Sequence, residues 1–322
     1  MLSRRLWHAL PLFFALASPT RAAVELIREW QAAPVLLQSV EFSPDGSSLL
    51  TASGGGVAQL WTLDGVPGPV FKGQRPPMFK AHFSPDGSQL LTTGYDGSVW
   101  IWTPQGKLVQ RLALHRAATA EARFLPVRST FNLVSSSDDG QVVIRNPVGV
   151  PLWSAQFAGT ARQFAITRDG ALIVASSDNG QLHFIRPAAS RTSAQVNSVQ
   201  TSHGRINRIA FSPDQSLLAA AGIDGRVSLW TTAGERVGLL SASGHGWSRG
   251  AVFCSLPGKP LLTIGDDGVV REWSSSGVVE DSLSLSKDSS LTSIDCSPDG
   301  RRAVVVGSRG QLWLLSITPS HP

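Results

Sequence analysis

The stretch that decides the fold runs Phe79-Lys80-Ala81-His82-Phe83-Ser84-Pro85-Asp86-Gly87-Ser88-Gln89-Leu90-Leu91-Thr92-Thr93-Gly94-Tyr95-Asp96-Gly97-Ser98-Val99-Trp100-Ile101-Trp102. Two turn signals cut it into three short apolar runs. In Pro85-Asp86-Gly87 the proline presets φ and the glycine accepts φ > 0, so a tight turn follows Phe83. Asp96-Gly97 is the signature of a hairpin turn. The segment therefore reads as three antiparallel strands.

The same segment recurs along the chain. The position of Phe83 is filled in turn by Phe42, Phe83, Phe124, Ile166, Phe211, Phe253 and Cys296, with spacings of 41, 41, 42, 45, 42 and 43 residues. Ser-Pro-Asp-Gly follows at 43–46, 84–87 and 297–300, Thr-Arg-Asp-Gly at 167–170 and Ser-Pro-Asp-Gln at 212–215. The turn degrades after Phe124 and Phe253. The hairpin glycine falls at Gly56, Gly97, Gly140, Gly180, Gly225, Gly268 and Gly310, and five residues later stands Trp61, Trp102, Arg145, Ile185, Trp230, Trp273 or Leu315. A further turn glycine (Gly65, Gly106, Gly149, Gly234, Gly277) then opens an apolar-alternating fourth run in most copies. Pro187 to Gln200 lacks that glycine and is rich in Ser, Ala and Thr, so it carries no such fourth-strand signal.

In its period and its motifs the chain resembles the WD40-repeat family over essentially everything past residue 22. The resemblance implies an all-β chain: a seven-bladed β-propeller of four-stranded antiparallel blades around a central channel. The seventh copy ends near Ser316 without a fourth run. Val24–Trp30 stands in fourth-strand phase with no first three strands before it. The expected solution is that this N-terminal strand closes the last blade, with Leu26 or Ile27 and part of Trp30 turned inward. The propeller then spans 23–317, and 318–322 is a tail.

Residues 1–22 differ in kind. Arg4-Arg5 precedes an apolar run from Leu6 to Ala17, and Ser18-Pro19 and small residues follow. This is the order of a cleaved secretory signal. The alternative is a membrane anchor. Twelve helical residues reach only about 18 Å, against a hydrocarbon core of about 30 Å. The segment holds three basic residues and no acid, so its removal takes the formal net charge from +5 to +2. The expected location is periplasmic or secreted, with no stable membrane insertion after processing. The remaining arginines are scattered, which gives no nucleic-acid footprint.

The residues that carry chemistry fall into per-copy sets. His115, Ser135 and Asp139 align with Arg145. His203 and Asp224 align with Trp230, and His245, Thr263 and Asp267 with Trp273. A nucleophilic triad is one reading. The resemblance implies a structural hydrogen-bond network in each blade, and an active site would need only one copy. No metal-ligand spacing or phosphate loop is present, so no cofactor is expected. Glu272 takes a slot that is apolar in sister copies (Ile101, Leu229). Cys254 and Cys296 lie on neighbouring blades that diverge from the axis. They are expected to stand too far apart to bridge, although export would favour a disulfide.

The resemblance implies partner contacts at loops flanking each first strand and before the hairpin Asp. Here these are Pro77, Phe79, Tyr95, Thr160, Arg162, Arg205, Asn207, Trp247 and Arg249. The expected function is a non-catalytic protein-interaction scaffold whose protein partner the sequence does not identify. The alternative is a propeller enzyme or small-ligand binder of lactonase or quinoprotein type.

Overall fold

A computed structural model describes residues 24–127, 130–188, 193–258 and 260–318. The expected signal segment and the residues past 318 lie outside them.

The described chain forms seven four-stranded antiparallel sheets. Six are contiguous in sequence. Blade two, for example, is Met78–Phe83, Leu90–Gly94, Ser98–Trp102 and Leu108–Ala113 in sequential order. The turn chemistry follows the sequence: Ser84 Oγ donates to Asp86 Oδ1 at 2.6 Å, Asp86 accepts the Ser88 N–H at 3.0 Å, and Gly87 takes φ 71°. The seventh sheet is split. Its first three strands are Leu291–Cys296, Arg302–Gly307 and Gln311–Ile317, and its outer strand is Val24–Gln31, paired from Val24 opposite Ile317 to Gln31 opposite Gln311.

The closing strand buries different residues from those expected. Leu26 and Ile27 are 48% and 49% exposed, and Val24, at 5%, is the buried one. A register shift between Leu26 and Arg28 leaves Ile27 without a partner on the neighbouring strand. Trp30 packs against Trp61 of blade one with ring centroids 6.4 Å apart, and the Val24 N–H donates to Asp281 of blade six at 3.0 Å. The strand thus ties blade seven to both neighbours.

Blade four does have its fourth strand, Ala194–Gln200, paired with Gln181–Pro187 from Gln181 opposite Gln200 to Pro187 opposite Ala194. It is reached without the turn glycine used elsewhere.

The apolar core is a ring of clusters, one between each adjacent pair of blades. Between blades one and two, Leu50, Ala52 and Phe71 meet Met78, Ala81 and Phe83. Leu37, Val40 and Phe42 of blade one meet Val304, Leu312 and Leu314 of blade seven, which shuts the ring. Glu272 is buried on the third strand of blade six, opposite Leu262.

Cys254 and Cys296 form a disulfide, contrary to the expectation, with Cα atoms 5.5 Å apart. Blades do diverge outward, but both cysteines sit at the ends of first strands, Cys254 just past Ser248–Phe253 and Cys296 at the end of Leu291–Cys296. First strands line the channel, where neighbouring blades are closest, and the separation falls within the bridging range.

Candidate interaction site at the channel mouth

Every first strand carries the same irregularity. Pairing with the second strand skips one residue: Gln38, Phe79, Ala120, Arg162, Asn207, Arg249 and Thr292 in blades one to seven. A bulge leaves one residue unpaired and re-aims its side chain. The burial pattern records the switch. In blade two, Met78 lies in the core before the bulge and Ala81 after it, three residues on rather than two. All seven skipped residues line one cavity of about 260 Å³ at one mouth of the channel.

Charge in this cavity is concentrated on blades four to six. Arg162 reaches Asp138 at 3.4 Å and donates through Nε to Thr160 at 3.2 Å. Arg249 Nε pairs with Asp266 at 2.6 Å, and Asp266 also accepts the Trp247 N–H at 3.0 Å. The Arg205 and Arg249 guanidinium carbons lie 4.8 and 4.2 Å from the centroid of the Trp247 ring. Asn207 donates to the Ser248 carbonyl at 2.9 Å. Burial, reinforced by the like charges of Arg162 and Arg249, lowers the Arg205 pKa. Of the residues named from sequence, Phe79, Arg162, Arg205, Asn207 and Arg249 line the cavity. Trp247 stands behind two of them. Tyr95 is 56% exposed outside the lining, with the Arg75 guanidinium 5.9 Å from its ring centroid.

Below the mouth lies a charged group that the sequence reading missed. His82 Nε2 is 2.6 Å from Glu121, and His82 Nδ1 contacts the Glu41 carboxylate. Arg123 Nε is 3.2 Å from the same Glu121. Burial opposes ionisation of Glu121, but His82, Lys80 and Arg123 hold it well below the usual carboxylate range. Burial pushes Lys80 down to about 8, against the pull of Glu121. Burial, with Glu41 beside it, raises Asp295 to about 6. The signal was available. Aligning the copies on Phe83 puts Glu41, His82, Arg123 and Asp295 in one column, and Lys80, Glu121 and Arg208 in another. These positions follow the bulge on inner strands and face the channel. A sequence reader who assigns them to an ordinary half-buried strand has no reason to join them.

The per-blade sets form hydrogen-bond networks whose members vary. In blade three His115 lies 3.1 Å from Asp139 and 2.9 Å from Ser135 Oγ, and Arg145 donates to the same hydroxyl at 2.9 Å in place of tryptophan. In blade five Ser228 supplies the hydroxyl that Ala220 lacks: it lies 2.6 Å from His203 Nε2 and accepts the Trp230 indole N–H at 2.7 Å, while His203 Nδ1 is 2.8 Å from Asp224. Blade six departs from the expected set. Trp273 donates to Thr263 at 2.9 Å, but His245 is exposed and Arg271 contacts Asp267 at 2.6 Å. An arginine two residues before the tryptophan pairs with the aspartate that the imidazole meets in blades three and five. Blade two uses Gln74, which the sequence reading passed over, to join Asp96 and Thr92 at 3.0 and 2.9 Å. Among the described residues no three His, Cys, Asp or Glu side chains are grouped to hold a metal ion, and no helix is long and apolar enough to cross a membrane.

The period, the turns and these networks agree with what sequence comparison finds. The family model for the WD domain, G-beta repeat, matches residues 26–62, 66–103 and 195–231. The WD repeat-containing protein slr1409 of Synechocystis sp. is 39% identical over 295 residues, covering 92% of this chain and 88% of that protein. The chain belongs to the WD-repeat family. A second relative, the uncharacterized WD repeat-containing protein slr1410 of the same organism, is 34% identical over 215 residues, covering 66% of this chain and 63% of its own length. WD-repeat propellers are commonly protein-interaction scaffolds and typically non-catalytic, and the first match begins at Leu26, inside the closing strand.

Proposed function

We propose that this WD-repeat propeller is an exported, non-catalytic scaffold that binds a protein partner through the channel mouth lined by its seven bulge residues. The carrying observation is the convergence of those residues, one from each blade, on a single cavity with Phe79 on one side and Arg162, Arg205 and Arg249 on the other. Aromatic and arginine side chains dominate interface energetics, and here Trp247 holds two of the arginines in place. Export is supported by the basic, apolar, small-residue order of residues 1–22, and by the Cys254–Cys296 disulfide, which suits an oxidising compartment.

The test uses the protein produced in its native host, captured with its partners after cross-linking. The double variant Arg205→Ala/Trp247→Ala is expected to lose the partners that the wild type retains while melting at nearly the same temperature. Undiminished capture by the folded double variant would move the site to another face. The same preparation gives the mature mass, expected to correspond to a start near Ala23; a product retaining Met1 to Leu16 would contradict export.

A further inference from the structure

Three arginines of adjacent blades converge on the cavity, and their counter-charges are unequal. Arg162 has Asp138 at 3.4 Å and Arg249 has Asp266 at 2.6 Å. Arg205, between them in blade order, has no carboxylate within ion-pair distance among the described residues; its near partner is the Trp247 ring. Lys80 adds a fourth cation to the wall, with Glu121 as its counter-charge at 4.0 Å, which leaves Arg205 as the unbalanced one. Each is a donor without an acceptor lone pair, and a guanidinium presents its donors as a planar fork that fits a carboxylate or phosphate. Asn207, on the same wall, has its amide N–H₂ engaged with Ser248, which fixes the side chain. A partly buried site with excess positive charge lowers its own electrostatic energy by taking an anion, and no duplex fits a cavity of about 260 Å³.

We propose that the Arg162–Arg205–Arg249 wall is an oxyanion pocket that receives an acidic side chain projecting from a protein partner, with Arg205 as its principal ligand. This rests on the scaffold reading and narrows it to a partner of stated chemistry. Arg249, already paired to Asp266 and packed on Trp247, orients the wall. Arg205, with the weaker tether, turns its free donors to the incoming carboxylate.

The probe is a fluorescein-labelled decapeptide of alternating Glu and Gly, titrated with the full mature protein at low ionic strength. Its Gln/Gly counterpart serves as control. Saturable binding of the Glu peptide alone is expected. Arg205→Gln should weaken it about ten- to hundredfold, the range for a charge-assisted hydrogen bond. Arg75→Gln, beside Tyr95 and outside the cavity, should leave it unchanged, and melting curves should show all three proteins folded. No saturable binding, equal binding of the Gln peptide, or equal binding by Arg205→Gln each overturns the proposal. Inorganic phosphate is titrated in parallel. If it binds more tightly than the peptide and with the same Arg205 dependence, the pocket is a phosphate site and the acidic-partner assignment is wrong. The two readings fail separately: if the wild type captures no protein partner the scaffold reading falls, whereas if the Arg205→Gln protein keeps the partners captured by the wild type, the scaffold stands and the oxyanion pocket falls.

Discussion

Gln215 holds a backbone conformation that the matching turns give to glycine. Its φ is 60°, against 71°, 71°, 65° and 73° at Gly46, Gly87, Gly170 and Gly300. An L-residue in the left-handed region costs about 1–2 kcal/mol, and glycine gives back part of that through its own entropy. Gln215→Gly is therefore expected to raise stability by about 0.5–1 kcal/mol in urea unfolding; a loss would show that the Gln215 side chain contributes more than the backbone strain costs. Asp295 supplies a second test, in pH. Burial and Glu41 raise it to about 6 from 3.8. A carboxyl that binds its proton more tightly when folded loses stability as pH rises from about 4 to about 6. Glu41 and Glu121 act in the opposite sense: both are held low, and what they contribute is complete above their ordinary 4.5 and lost below it. Asp295→Asn keeps an acceptor for the Phe42 N–H, which Asp295 receives at 2.9 Å. It should unfold at higher urea than the wild type above pH 6, with the difference vanishing toward pH 4. A difference that persists unchanged at pH 4 would mean that Asp295 is not charged against its surroundings.

At the scale of the element, the disulfide joins the inner strands of blades six and seven across 42 residues. Chain-entropy reasoning for a loop of that length gives about 4 kcal/mol as the upper end, and native disulfides commonly contribute about 2–4. Cys254→Ala/Cys296→Ala should lose stability in that range, and reduction of the wild type should reproduce the loss. Stability unchanged by either treatment would leave the bridge without a structural role. The contrast between elements also explains what could be read beforehand. Turns and hairpins are local: Asp86-Gly87 and Asp96-Gly97 declare themselves through residues that few other conformations accept, and repetition made the period unmistakable. The bulges were invisible because a skipped residue changes no residue type; Gln38, Ala120 and Thr292 look like ordinary strand positions. The residues proposed to face a partner, Phe79, Arg162, Asn207 and Arg249 among them, could be placed only through the family resemblance. The bridge, the buried His82–Glu121 contact and the Arg271 substitution for His245 depend on neighbours brought together by ring closure or by a hairpin crossing, which alternation along one strand does not encode.

The described residues form a closed ring whose first and last strands meet in one blade. Val24–Gln31 supplies an edge strand, the buried Val24 side chain and the Trp30 contact to Trp61. Large apolar side chains are worth about 1.5–3 kcal/mol each on burial. Lost strand pairing and an unprotected edge add to this. Deleting Val24–Gln31 is expected to remove at least about 5 kcal/mol, comparable to a whole domain's stability, whereas deleting residues 319–322 should change it by less than about 0.5 kcal/mol. Equal melting temperatures for the two deletions would show that the ring closes without this strand. Closure bears on the proposed function because the seven bulges form one mouth only when the first strands stand in a ring. The most direct test of the proposed site is hydrogen exchange of the protein alone and with a partner captured as proposed above. Protection is expected at the first-strand segments around Gln38, Phe79, Arg162, Asn207 and Arg249, and in the two loops that carry Arg205 and Trp247. Protection confined to the outer strands, or to the opposite mouth around Arg168 and Gln215, would contradict it.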